Sequence, residues 1–281
     1  MLKLRTIGWD GMQAAAELLF KGFPSRSPAF WHNALGRLAE YIRITGGDSI
    51  GTLLMADETP VGVLLTIPRQ DARTGKKIVN LSSWYVEESH RWYAPRMLMA
   101  ATMDKTAVYT DLTPSRAAAE LNTRLGFRTV EFNLHLLPLP WHAIAGRGQG
   151  KLHSLDALPA GALEQTLLQD LRRHRELGCI VTVVESDALF QPIVFQTFER
   201  KRIPVARVIF AENQDLIVNN LALLSRMLLM RGVPLLCLRV PNGTTSPYSK
   251  IWQRDLRYQI KGDWDESTIN ELFSERVLLN V

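Results

Sequence analysis

An α/β fold, mixed α+β in its detail and built as two tandem halves that each carry a mixed central sheet flanked by helices, is predicted by three observations on the 281-residue chain. Short apolar runs of strand length alternate with stretches whose apolar residues recur every three or four positions. The order strands, helix, strand, short helix, strand occurs between Gly51 and Phe132 and again between Cys179 and Ile260; residue identity is low, so what repeats is element order. Between Pro138 and Pro159 the pattern gives way to Pro138-Leu139-Pro140-Trp141 and then to a run from Ala145 to Lys151 containing Gly146, Gly148 and Gly150, the composition of a linker. The expected domains are residues 1–140 and 157–281, with 141–156 between them.

Each element follows from local pattern. Met12, Ala15, Ala16, Leu18 and Leu19 share one helical face, and Phe30, Trp31, Leu35, Leu38 and Ile42 another, giving helices over 11–21 and 28–43. Residues 51–56 and 61–68 are apolar runs around Asp57-Glu58-Thr59-Pro60, which reads as a hairpin, and 77–86 is the third strand. A helix over 94–103 has Pro95 in its first turn, where a missing N–H costs little. Residues 105–111 form a strand, and Ser115 opens a helix that Gly126 closes. The second half is read as a helix over 163–177, strands over 179–185, 192–198 and 205–210, a helix over 216–231, a strand over 233–240, a short helix over 249–255 and a strand over 257–260.

Composition narrows the function classes. Hydrophobic residues are 46% and charged residues 22%, values of a folded globular chain. The net charge of +5 is spread over short clusters, Lys76-Lys77, Arg172-Arg173 with Arg175, and Arg200-Lys201-Arg202. With no basic tail and no interleaved aromatic and basic residues, nucleic acid is not an expected partner. The N-terminus lacks a secretory pattern and no segment holds about twenty apolar residues together, so neither export nor a membrane is expected and the cytoplasm is the expected location. Cys179 and Cys237 sit in apolar surroundings and are expected to be buried free thiols. The 6 histidines form no metal-binding spacing, and serine-hydrolase and phosphate-loop motifs are missing, so no metal is expected.

The region that carries chemistry runs from Trp84-Tyr85-Val86-Glu87-Glu88 through Arg91, Ala94 and Arg96 to Asn122 and Leu125-Gly126-Phe127. Two strands, a third ending in acids, a helix, a strand and a short helix closing on Gly-Phe resemble the core of the GNAT acyltransferase superfamily. That resemblance implies acetyl-CoA or another acyl-CoA as co-substrate, with Trp84, Tyr85 and Val86 among the residues that bind it. Its pyrophosphate would sit at the start of the next helix, where unpaired N–H groups and the positive end of the helix dipole favour an anion. In the family's Arg/Gln-x-x-Gly-x-Gly/Ala loop, Arg91 takes the leading place and Ala94 that of the first Gly, while Arg96 stands where a small residue is usual. Asn122 takes the place of the Tyr that protonates the leaving thiolate in many members; an amide hydrogen-bonds there but is not an acid. Glu87 or Glu88 is the candidate base for an acceptor amine.

The implied function is transfer of an acetyl or other acyl group to a small-molecule or peptide amine, or to a hydroxyl, by direct attack on the thioester; a homodimer is left open. The other reading is a catalytically inactive scaffold that senses a ligand or binds a protein. In the second half, Ala211-Glu212-Asn213-Gln214-Asp215 leads into its helix with acids in place of the loop's Arg, so that half is expected to be degenerate and non-catalytic.

Overall fold

Ser27 and Ser115 each accept a hydrogen bond from the backbone three residues on, Phe30 N at 3.1 Å and Ala118 N at 3.2 Å, and so fix the starts of two helices. The computed structural model describes residues 1–145, 148, 150–241 and 249–280. The chain divides into two compact units. The first is Met1–Val130 with Arg257–Trp264 and Phe273–Val281; the second is Glu131–Leu256 with Asp265–Leu272.

The first unit runs β1 (Leu2–Thr6), α1 (Met12–Gly22), α2 (Pro28–Ile44), β2 (Gly51–Ala56), β3 (Thr59–Gln70), β4 (Lys77–Val86), α3 (Ala94–Ala101), β5 (Val108–Asp111), α4 (Arg116–Arg124) and the start of β6 (Arg128–Pro138). Strands β1 to β4 pair antiparallel in sequence order, and β4 then pairs β5 in parallel across the α3 crossover. Asp57 at the hairpin tip has φ +50°, a region aspartate tolerates. Gly126, φ +88°, ends α4 as expected. On α1 and α2 the predicted apolar faces are the buried ones, Ala15, Ala16, Leu18 and Leu19 on one and Trp31, Leu35, Leu38 and Ile42 on the other.

The second unit continues with α5 (Leu139–Ala145), β7 (Lys151–His153), α6 (Gln165–Glu176), β8 (Ile180–Ser186), β9 (Leu189–Arg200), β10 (Ile203–Ala211), α7 (Gln214–Asn219), α8 (Leu221–Leu229), β11 (Leu235–Pro241), the start of β12 (Lys250–Lys261) and β13 (Ile269–Asn270). A last helix, α9 (Glu275–Leu278), belongs to the first unit. The pairing repeats that of the first unit: β8 to β10 are antiparallel neighbours, and β10 pairs β11 in parallel across a helical crossover. In this unit β11 is flanked by β6, while in the first β5 is flanked by residues 259–261 of β12. The fold is mixed α/β, and the repeat is one of strand pairing as well as element order.

Three expectations differ from the structure. The short helix over 249–255 is the first part of strand β12; Ile251 and Trp252 favour a pleated surface, and Trp252 stacks on Phe198 at 5.7 Å beneath the Arg200 guanidinium. Tyr248, read with that helix, lies outside the described residues. The single helix over 216–231 is two, broken at Asn220, whose side chain donates to Leu216 O and accepts from Gly150 N. The segment 141–156 holds part of α5 and β7, inside the second unit, and its residues 146, 147 and 149 are not described; the boundary between the units lies at Val130.

Candidate active site

Strand β5 stops at Asp111, whose partner is Leu81, while β4 continues to Val86; from Ser82 onward β4 has lost its parallel neighbour. The fork is sharpened by a bulge. Leu64 of β3 faces Trp84 and Leu65 faces Ser82, so Ser83 is left over, with φ +37°. Across β3, Gly51 pairs with Leu65 at φ +149°, and a Cβ there would stand 2.2 Å from Leu64 O. Only glycine lets the backbone come this close.

A cavity of about 290 Å³ opens at the fork. Ser82, Ser83 and Trp84 form one wall, Asp111, Thr113 and Ser115 another, and Asn122 of α4 lies among its lining; Phe23 and Arg26 contribute from the α1–α2 connection and Trp31 from α2. Several of its polar atoms lack partners. The indole N–H groups of Trp31 and Trp84 and the Asn122 carbonyl oxygen Oδ1 are buried with no hydrogen bond among the described residues. Buried polar groups are normally satisfied, so three unpaired ones within the walls of one cavity set this region apart from the rest of the core.

Asn122 is 1% exposed, and both of its amide hydrogens are committed: Nδ2 donates to Asp111 Oδ2 at 2.9 Å and to Gln259 Oε1 at 2.8 Å. Gln259 is fixed in turn by donating to Ala119 O and Thr123 Oγ1. Sequence reasoning reached Asn122 through the tyrosine it replaces, but missed Asp111, whose only signal was its place as the last residue of a strand. Burial pushes the Asp111 carboxyl up to about 6, against the opposing hydrogen bonds from Asn122 and Thr113 N. Glu275, fully buried, accepts from Thr113 Oγ1 at 3.0 Å; burial foremost, and then the Asp111 charge, push it up to about 7 while Arg276 opposes.

Of the other predicted site residues, Trp84 lines the cavity, Tyr85 packs on Gly22 of α1, and the Val86 side chain is in the core beside Met97. Glu87 and Glu88 are not among the cavity's lining; Glu87 is paired with Lys21 of α1, and Glu88 is exposed on a 3-10 turn over Glu88–Tyr93. That turn runs directly into α3. The Ala94 N–H donates to Arg91 O, and Pro95 has no N–H, so two amides of the expected anion cradle are already spent. The same junction carries side-chain charge: Arg91 and Arg96 are exposed, Arg96 lying over the Tyr93 ring, and among the described residues neither has an acidic partner.

The second unit has the same fork, differently filled. Strands β10 and β11 pair over Val205–Arg207, after which β10 takes a new neighbour on the vacated edge: β13, through Phe210↔Asn270 and Ala211↔Ile269. Glu271 N donates to Ile209 O at 2.7 Å, and its carboxylate pairs with Arg239 of β11. The chain's own segment therefore bridges both arms of this fork.

A parallel pair that parts at a bulge, after an antiparallel three-stranded run and a helical crossover, can be compared directly with solved structures. A GCN5-related N-acetyltransferase from Anabaena variabilis superposes with a TM-score of 0.61 at 10% identity, over 93% of this chain and 72% of that one. The chain has the GNAT fold. A second GCN5-related N-acetyltransferase, from Kribbella flavida, gives a TM-score of 0.59 at 8% identity, over 92% of this chain and 70% of that one. The glucosamine N-acetyltransferase region of a fungal multi-domain GH3 β-N-acetylglucosaminidase gives 0.58 at 12%, over 93% of this chain and 38% of that one. Identities this low establish the GNAT fold and nothing finer. No family model and no curated protein matches the sequence. Among the described residues no group of His, Cys, Asp or Glu is placed to hold a metal ion, and no helix is long and apolar enough to cross a membrane.

Proposed function

We propose that the first unit binds an acyl-CoA at the β4–β5 fork and transfers its acyl group to an amine. The observation that carries this is the fork itself, bulged at Ser83, with a cavity lined by both of its strands. The acyl-pantetheine arm lies along Ser82–Val86, as an added strand would, bonding the edge that β5 has left. Arg91 and Arg96 hold the phosphates by charge-assisted bonds, in place of the amides lost to the 3-10 turn and Pro95. Asn122 does not donate to sulfur, because its amide hydrogens are used; the thiolate leaves as a weak base that solvent or the acceptor's own proton neutralises. The second unit, its fork closed by β13, is a non-catalytic partner.

A second reading is favoured by one specific observation, the spent amides at the start of α3: a GNAT scaffold that holds a ligand without turning it over. The two separate in a thiol-release assay with acetyl-CoA and primary amines. Transfer gives free CoA in step with acylated amine, whereas the sensing scaffold binds acetyl-CoA and releases no thiol.

A further inference from the structure

We propose that Asp111 is the catalytic base of this site, the group that takes the proton from an acceptor ammonium bound in the fork cavity; the inference rests on the acyl-CoA reading above. Among the described residues that line the cavity, Asp111 is the one carboxylate. It stands where the parallel pair parts, which is where an acyl carbonyl carried along β4 would lie. Its orientation is set from two sides, by Asn122 Nδ2 on Oδ2 and by the Thr113 N–H on Oδ1. Among the described residues no cation is paired with it, so an incoming ammonium would be its counter-ion, between aromatic walls from Phe23, Trp31 and Trp84 that suit a cation. Glu87 is turned away onto Lys21, and Glu88 is outside the cavity.

The step balances without a further reactant. Asp111 accepts one proton from R–NH3+; the freed amine attacks the thioester carbonyl and forms the C–N bond. The tetrahedral intermediate expels the thiolate as the C–S bond breaks. The second nitrogen proton goes to sulfur, and Asp111 returns its own to solvent, so R–NH3+ and acyl-CoA give amide, CoA thiol and one proton. A base whose proton affinity lies near neutrality serves such a transfer well. The charged and titratable groups around Asp111 are Glu275 and Arg276 from the C-terminal segment and Arg26 from the α1–α2 connection; β4 and α4 offer it Ser82, Ser83, Trp84, Ala118 and Asn122, all uncharged.

The test uses the full chain, acetyl-CoA, and benzylamine and lysine methyl ester as acceptors, comparing Asp111→Asn, Asp111→Glu and Glu275→Gln with the wild type. For Asp111→Asn the expected result is acetyl-CoA affinity unchanged within about twofold and kcat/KM lowered about 100-fold or more, with Asp111→Glu restoring about a tenth of the activity. The wild-type kcat/KM profile falls on the acid side near pH 6, as the base becomes protonated; Asp111→Asn abolishes that limb, whereas Glu275→Gln keeps it and moves it only toward lower pH, as loss of a neighbouring carboxylate requires. Urea unfolding confirms that each variant is folded, and if Asp111→Asn is not, the Asp111→Glu profile decides. An Asp111→Asn enzyme within about threefold of wild type, or an acid limb that Glu275→Gln abolishes, overturns the assignment. A wild type that binds acetyl-CoA but acylates neither amine overturns it while leaving the cofactor site standing; a wild type that does not bind acetyl-CoA overturns both.

Discussion

Ser83 holds a backbone conformation, φ +37°, that an L-residue keeps only when its surroundings insist, and it does so at the one point where β4 must bulge. A β-branched side chain tolerates that region worst, so Ser83→Val is expected to cost about 1–3 kcal/mol in urea unfolding. Gly51→Ala drives a methyl into Leu64 O across the same ladder and is expected to cost about 3 kcal/mol or more. Asn122→Ala would strand the Asp111 and Gln259 oxygens it now satisfies, at about 1–3 kcal/mol. Little of this was legible from sequence. Asn122 was reachable because it sits a fixed distance before Gly126, but its partner Gln259 is 137 residues away, and no local pattern reports a pairing of that reach. The Ser83 bulge depends on strand register, which Ser82-Ser83-Trp84 does not encode by itself.

At the scale of elements, strands and helices in the first half were legible because each carries its own period and its own cap: Ser27 and Pro28, Ser115, Gly126. Junctions were not. The helix expected at 94–103 starts where predicted, yet the turn before it is 3-10, and that turn uses the Ala94 amide the sequence would assign to phosphate. On the proposed function, phosphates at this junction would therefore depend chiefly on side chains. Arg91→Ala and Arg96→Ala are each expected to weaken acetyl-CoA binding about tenfold, more so at low ionic strength, as calorimetry at two salt concentrations would show. In the second unit, β13 is two residues long with no sequence signal, and it decides that the fork is closed. The expected stoichiometry is accordingly one acetyl-CoA per chain.

At the scale of the whole molecule, the two-part reading was right in its repeat of elements and incomplete in its connectivity. Strand 257–261 and the tail from Phe273 belong to the first unit: Phe273 stacks on Tyr41 at 5.0 Å, Arg37 donates to Leu278 O and Leu279 O, and Leu278 and Leu279 are fully buried. A fragment of residues 1–140 is thus expected to lack cooperative urea unfolding, whereas the full chain shows it. The tail also carries a pH dependence. Glu275, raised from 4.5 to about 7 in the fold, binds its proton more tightly folded than unfolded. Its contribution is complete below the unfolded value and is lost as pH rises through the folded one. Unfolding free energy of the wild type relative to Glu275→Gln is therefore expected to fall between about pH 4.5 and 7.

The most direct measurement is a calorimetric titration of the full chain with acetyl-CoA, repeated on an Arg91→Ala/Arg96→Ala double variant. Saturable binding of one molecule per chain, weakened in the double variant, is the expected result. No heat at high micromolar acetyl-CoA, or binding indifferent to both arginines, would contradict an acyl-CoA site at the β4–β5 fork.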